Sequence, residues 1–419
     1  MKNVGRICLC IITILFIATG AIFGTGDYKA QGAEIVTDFT KNGVHYMVLS
    51  KEKGRNYGTV AVSGIDEKAD KDLIKNLKIP FELRKNQINY TVVKIDNLAF
   101  ESVTGISSIT IEEGITEIGT GAFCNCSDLK KLIIPSTVKT MPSTAFFKCS
   151  ALKNIIISEE NKLFSSADGV VYSKDGKTLI AAPGISGKYL IQDGVTAVGE
   201  YAFAYNENLT FVTFPMSVIS ISGYSFYNCT NLSGVKLKAV ETIGKNAFSK
   251  SGLKSIKIPE STSKITENPF SFCDRLEEIK VAKLNDNYKA SKNLLLTKSG
   301  KKLISASAAE NGIQIPSTVT KIGKYAFAGN KRITRMVIGD KIKNIYEGAF
   351  CYCTSLNKIR FMSRKTGLSV PNETEYGIFF NTVYELIVEV PYSEKGFEEG
   401  SIEQQIEINS PKGVDIITF

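Results

Sequence analysis

Ile115–Pro135 reads ITEIGTGAFCNCSDLKKLIIP, and its pattern recurs along the chain. The anchor is Phe123, preceded by Ala122. Apolar residues stand at set offsets from it: Ile115 and Ile118 before, Leu129, Leu132 and Ile134 after. Pro135 opens the following copy. Phe100, Phe123 and Phe146 recur about every 23 residues, as do Phe203 and Phe226; Phe248 and Phe270 follow at about 22, and Phe327 and Phe350 return to about 23. The two wider gaps, Phe146 to Phe203 and Phe270 to Phe327, are equal at about 57 residues. Each reads as one repeat plus an insertion, which also points to a longer duplication.

One such unit cannot bury its apolar face alone, so the units must stack and share a core. The alternation in Leu129–Ile134 puts Leu132 and Ile134 on one side of a short strand and Ile133 on the other. Parallel stacking of such strands sets neighbouring coils roughly 4.8 Å apart. The expected structural ladder is Phe100, Phe123, Phe146, Phe203, Phe226, Phe248, Phe270, Phe327 and Phe350.

Working outward, Met1 to about Gly32 has the layout of a secretory signal. Lys2 and Arg6 form a basic start, an apolar run follows from Ile7 to Phe23, and small residues offer cleavage after Ala21 or near Gly32. The run is short, and broken by Gly20, for a membrane anchor. No integral membrane domain is expected after cleavage. Residues 33–78 read as an N-terminal cap. Asn42-Gly43 turns a hairpin between Phe39 and Val44–Leu49, and a charged segment runs from Asp66 to Lys78. The repeat region is expected over 79–361. It carries insertions near 158–188 and 282–311, each a hairpin, turned at Asp175-Gly176 and at Ser299-Gly300. These hairpins are expected to project from one edge, either as contact surfaces or as edge covers. Residues 362–419 lack the pattern and read as a C-terminal cap.

IPSTVTKIGKYAFAGN (Ile315–Asn330), IPSTVKTMPSTAFFKCSALKNIII (Ile134–Ile157) and VETIGKNAFSKSGLKSIKIP (Val240–Pro259) resemble the BspA-type leucine-rich repeat. DGVVYSKDGKTLI (Asp168–Ile180) is similar to an insertion common in that family. The pattern departs at Thr262, where an apolar residue is expected, and at Pro269, which replaces Ala before Phe270. The resemblance implies a curved, β-rich leucine-rich repeat solenoid with one parallel strand per coil, short helical turns, β-hairpin insertions and non-repeat caps. It also implies a secreted or cell-surface protein with roles in adhesion and in host or community interaction.

The sequence offers little for catalysis. His45 is the single histidine, which disfavours hydrolytic triads and multi-histidine zinc sites. There is no phosphate-binding Gly-Lys-Ser/Thr loop and no dinucleotide fingerprint. No enzyme activity and no cofactor are expected. Cys126, Cys149, Cys229, Cys273 and Cys353 all lie three residues after an anchor Phe, where Asn206, Ser251 and Asn330 stand in other copies. That exchange suits a small buried residue bonding to loop backbone. Cys124 and Cys351 complete two Cys-x-Cys pairs. A metal site would need a closed set of ligands, and these pairs belong to distant coils. A disulfide between Cys126 and Cys149 stays open at this point for an exported chain.

The formal charge is +9. Outward strand positions include Lys131, Asn154, Phe211, Lys236, Lys257, Lys280, Arg335, Lys358 and Arg360. In-register stacking would give the C-terminal half of the sheet a basic stripe. The candidate ligand face is therefore Lys131, Lys236, Lys257, Lys280, Arg335, Lys358 and Arg360, for an extracellular protein or an anionic glycan or wall polymer. Export argues against a nucleic-acid partner. Two readings remain: a binding protein for adhesion or recognition, or a wall-associated scaffold with no soluble ligand, whose lysines only discourage edge pairing.

Overall fold

The computed structural model describes residues 38–51, 56–308, 313–369, 376–383, 386–393, 400–410 and 414–419. The expected leader, 1–32, lies outside them, as do 309–311 of the second insertion. Two compact units are present, Glu34–Lys289 and one containing Ala290–Phe419.

In Glu34–Lys289 each repeat contributes to two parallel ladders. The long-strand ladder holds Asn76–Ile79, Ser108–Ile111, Lys131–Ile134 and Asn154–Ile157. It resumes with Gly187–Leu190, Leu209–Thr213 and Gly234–Lys236, and again with Ser255–Ile258 and Glu278–Val281. The short-strand ladder links Thr178–Ala181, Ala197–Val198, Ser220–Ile221, Thr242–Ile243 and Lys264–Ile265. Two strands per repeat therefore replace the single strand expected. The second is only two residues long, too short to show an alternation of its own, and its inward Ile or Val is what the sequence registers.

The phenylalanines stack inside. Phe100, Phe123 and Phe146 have ring centroids 5.6 and 6.1 Å apart. Phe203, Phe226, Phe248 and Phe270 follow at 4.8, 5.1 and 5.8 Å. Between these runs Ala182 takes the anchor place: its N–H donates to the Ala202 carbonyl at 2.8 Å, as the Phe203 N–H donates to Ser225 at 2.8 Å.

The turns around the anchors are not the short helices expected, apart from one 3-10 turn, Ser143–Phe146, among the described coils. In the coil of Phe100, residues Leu98 and Ser102 both have φ of 59°. Such left-handed residues break a helix. They aim three N–H groups the same way, and Leu98, Phe100 and Ser102 donate to the carbonyls of Thr120, Ala122 and Cys124 in the next coil at 3.0, 2.7 and 2.8 Å. A left-handed non-glycine residue costs on the order of 1 kcal/mol, and the inter-coil hydrogen bond offsets it. Gly121 (φ 64°) occupies one such place, where a Cβ would lie 2.5 Å from Leu98 Cδ2.

The cap and the insertions join these ladders. Phe39–Lys41 and Val44–Lys51 form the hairpin, with Asn42 and Gly43 at φ of 50° and 77°, the pair a type I′ turn requires. Tyr57–Ile65 lies parallel to Ile88–Ile95, which pairs with Glu117–Ile118. The cap sheet thus reaches past residue 78, while Asn76–Ile79 already belongs to the long ladder. The first insertion does not project. Val170–Ser173 pairs antiparallel with Thr178–Ala181, and Thr178–Ala181 becomes the first short strand. The burial of Val170, Val171 and Leu179 holds it in the core. Asn161, fully buried, sets its entry: its amide donates to Pro135 O and Val138 O at 3.2 and 2.9 Å, and its carbonyl accepts from Leu163 and Phe164, both at 2.9 Å. Asn285 makes the same arrangement on Pro259, Thr262, Asn287 and Tyr288. The two departures from the repeat fit locally. Thr262 is buried with its hydroxyl donating to Val240 O at 2.7 Å, and Pro269 O accepts the Phe248 N–H at 2.8 Å.

In the second unit the short ladder runs through Lys302–Ala306, Lys321–Ile322, Asn344–Ile345 and Gly367–Leu368. The long ladder runs through Arg335–Ile338, Lys358–Phe361, Ile387–Val390 and Asp415–Thr418. The repeat therefore does not stop at 361. Phe379 stacks on Phe350 at 5.9 Å, as Phe350 does on Phe327 at 4.8 Å. A spacing widened to about 29 residues hides this rung from a period search. The helix Ile402–Asn409 closes this end, with Asn409 accepting the Ile378 N–H on its side chain and the Phe379 N–H on its backbone, both at 3.0 Å.

Candidate ligand face

Lys131–Ile134 shows how each outward side chain is set. Leu132 and Ile134 are buried, so pleating turns Lys131 and Ile133 to the other face. Lys131 lies in a row with Asn76, Ser108 and Asn154. This row carries one charge, and its Ser108 hydroxyl donates to Asn76 Oδ1 at 2.7 Å.

The face over Gly187–Val281 is different. One row runs Lys188, Phe211, Gly234, and the neighbouring row runs Leu190, Thr213, Lys236. Ser255–Ile258 comes next, joined by the Lys254 N–H to Ser233 O at 3.2 Å, which continues the offset and sets Lys257 beside Lys236. Lys257 pairs in register with Lys280, and Ser255 with Glu278. Lys236, Lys257 and Lys280 are thus consecutive in one row and exposed. Lys280 meets Glu278 at 2.7 Å. Lys236 and Lys257 take part in no ion pair among the described residues.

In the second unit Arg335 and Lys358 share a row, while Arg360 lies in the adjacent row, opposite Glu389. Glu389 answers both cations, at 2.7 Å from Lys358 and 2.5 Å from Arg360. Those hydrogen bonds, Arg360's first, hold its carboxyl below the usual glutamate range. The Arg360 guanidinium also lies over the Phe419 ring at 4.3 Å. The expected positive stripe is therefore partly neutralised here. Glu389 falls in the segment read as a cap, on the stretch Leu386–Val390 that reads as a last strand before Pro391, but the sequence did not show which cations it would face.

The cysteine series has a structural role. The thiols of Cys126, Cys149, Cys229, Cys273 and Cys353 donate to the carbonyls of Phe100, Phe123, Phe203, Phe248 and Phe327 at 2.9, 2.9, 3.0, 3.0 and 3.1 Å. Asn206 bonds likewise to Ala182 O at 2.5 Å, so amide and thiol are exchangeable there. All seven described cysteines are free and buried, and no Cys126–Cys149 disulfide forms. Burial pushes the Cys126 and Cys353 thiols up to about 12, far from the thiolate form that nucleophilic or metal chemistry needs. Among the described residues no group of three or more metal-ligating side chains comes together, and no helix is long and apolar enough to cross a membrane.

A model of the BspA type leucine rich repeat region matches in six copies, over residues 80–168, 196–296 and 293–382. No curated protein matches the sequence. Among solved structures, a leucine rich cell surface protein from Faecalibacterium prausnitzii is 22% identical, with 91% of this chain and 94% of that one covered and a TM-score of 0.46. A leucine-rich repeat protein from Bacteroides ovatus is 24% identical, with 91% and 100% covered and a TM-score of 0.40. The pneumococcal vaccine antigen PcpA is 16% identical, with 92% and 100% covered and a TM-score of 0.35. With the family model matching more than half of its 419 residues, the chain belongs to the BspA-type leucine-rich repeat family.

Proposed function

We propose that this is a secreted or surface-exposed leucine-rich repeat protein that binds a protein or an anionic glycan or wall polymer, in adhesion or in host or community interaction. It acts as a preformed recognition surface, with no enzyme activity. The observation that carries the reading is the row Lys236, Lys257, Lys280, three cations brought side by side by strand register, two of them outside any ion pair among the described residues. A rigid ladder presents such a row at little ordering cost. Charges spaced by roughly 4.8 Å also repel one another, which an anionic ligand relieves. The test is binding of the purified protein to matrix proteins, glycosaminoglycans and wall polymers at two salt concentrations. Salt-sensitive binding to anionic members supports the reading, since exposed charge pairs are screened within about 10 Å at 0.1 M salt. Absence of binding to the whole panel refutes it.

The scaffold reading draws support from the second unit alone. There Glu389 consumes the charge of Lys358 and Arg360, so those two cations serve the ladder before any ligand.

A further inference from the structure

Phe211 is a half-buried aromatic residue on the outward face of a sheet. It stands between Lys188 and Gly234 in its row. Gly234 has no side chain, and its place is filled by the Phe211 ring: a Cβ there would lie 2.9 Å from Cε2 and 3.1 Å from Cδ2. The ring therefore leans along the sheet over Gly234, toward the strand that carries Lys236. The adjacent row starts with Leu190 and Thr213 and then presents Lys236, Lys257 and Lys280 in three successive coils. The single acid in these rows, Glu278, lies at the far end, on Lys280.

We infer that this face binds a polysaccharide carrying one carboxylate per sugar, a polyuronate. The inference rests on the ligand-face reading above and names its ligand class. A sugar ring offers a flat C–H surface and an anionic group on one unit, and this face offers the matching pair. Phe211 packs on the C–H surface. Lys236 and Lys257 meet successive carboxylates, with Lys280 engaged as the ligand displaces Glu278. One cation per coil, at a ladder spacing of roughly 4.8 Å, suits a polymer with one charge per unit. A charged peptide would satisfy the lysines but would leave the aromatic platform unused.

The experiment measures affinity of the purified protein for three probes of similar length: polygalacturonate oligosaccharide, poly-glutamate and neutral dextran. Polygalacturonate is expected to bind more tightly than poly-glutamate, and dextran not to bind. Phe211→Leu keeps the bulk and removes the ring, and Gly234→Ala displaces the ring. Each is expected to weaken polygalacturonate about tenfold and leave poly-glutamate unchanged. Lys236→Gln with Lys257→Gln weakens both acids. Melting curves of the variants confirm that they remain folded. Equal affinity for the two acids, with no effect of Phe211→Leu or Gly234→Ala, overturns the polyuronate assignment and leaves an anion-binding face standing. Binding to a matrix protein alone, unaffected by the lysine pair, overturns the assignment and moves the site elsewhere. Failure of every probe and every matrix protein removes the ligand-face reading as well.

Discussion

Replacing Phe226 with alanine probes the ladder at its most enclosed rung. Phe226 is fully buried, with Phe203 stacked at 4.8 Å on one side, Phe248 at 5.1 Å on the other and Phe214 edge-on at 5.9 Å. The substitution removes the ring from an interior whose two neighbours are fixed by inter-coil hydrogen bonds and cannot close the gap. A phenylalanine-to-alanine change in such a site costs about 3–5 kcal/mol. At roughly 2 °C per kcal/mol for a unit of this size, the thermal midpoint should fall about 6–10 °C. Phe270→Ala gives the internal comparison, because among the described rungs Phe270 stacks only on Phe248, at 5.8 Å. It should lose less. Far-ultraviolet circular dichroism suits the assay, since the chain has no tryptophan. An unchanged midpoint for Phe226→Ala, or a larger loss for Phe270→Ala, would refute the stacked-core argument.

The other predictions concern polar supports. Cys229→Asn should cost under about 0.5 kcal/mol, because Asn206 already makes this bond in another coil, whereas Cys229→Ala removes the thiol bond, leaves Phe203 O with the Asn206 N–H alone at 3.1 Å, and costs about 1–2 kcal/mol through the lost bond and the small void; denaturant titration separates them, and equal losses would contradict the donor role. Asn161→Ala removes four backbone partners' bonds, two of them to the buried carbonyls of Pro135 and Val138, and should destabilise Glu34–Lys289 by about 2–4 kcal/mol; hydrogen exchange should rise first in Phe164–Ala167, and uniform protection there would count against it. Glu389 has a folded pKa below its ordinary 4.5. Its contribution is therefore present above 4.5 and lost as pH falls through the depressed value. Glu389→Gln should flatten the acid limb of the stability profile, and an unaltered limb would contradict the paired carboxylate.

The phenylalanine ladder was legible because one large residue recurs at a steady interval and its partners are always the next copy. The long strands were legible for the same reason, through inward Leu and Ile at alternate positions. The short strands were not, since two residues carry no period. Nor were the left-handed turns, whose residue types vary from Leu98 to Asn125 to Tyr224 while the backbone stays the same. The last rung at Phe379 was hidden by a longer spacer. On the ligand face, outward positions such as Lys257 followed from alternation. Charge balance did not, because Glu389 reaches Arg360 from 29 residues away. The fit of the Phe211 ring over Gly234 was not legible either, because it depends on the register between two strands.

Lysine acetylation footprinting of the purified protein, with and without whichever polymer of the panel binds, tests the central claim most directly. Lys236 and Lys257 should be protected by the ligand. Lys148, Lys245 and Lys250, which lie over Tyr205, Tyr224 and Tyr227 on the turn side of the coils, should label equally in both states. Protection confined to the turn-side lysines, with Lys236 and Lys257 unchanged, would place recognition on the other surface and contradict the account.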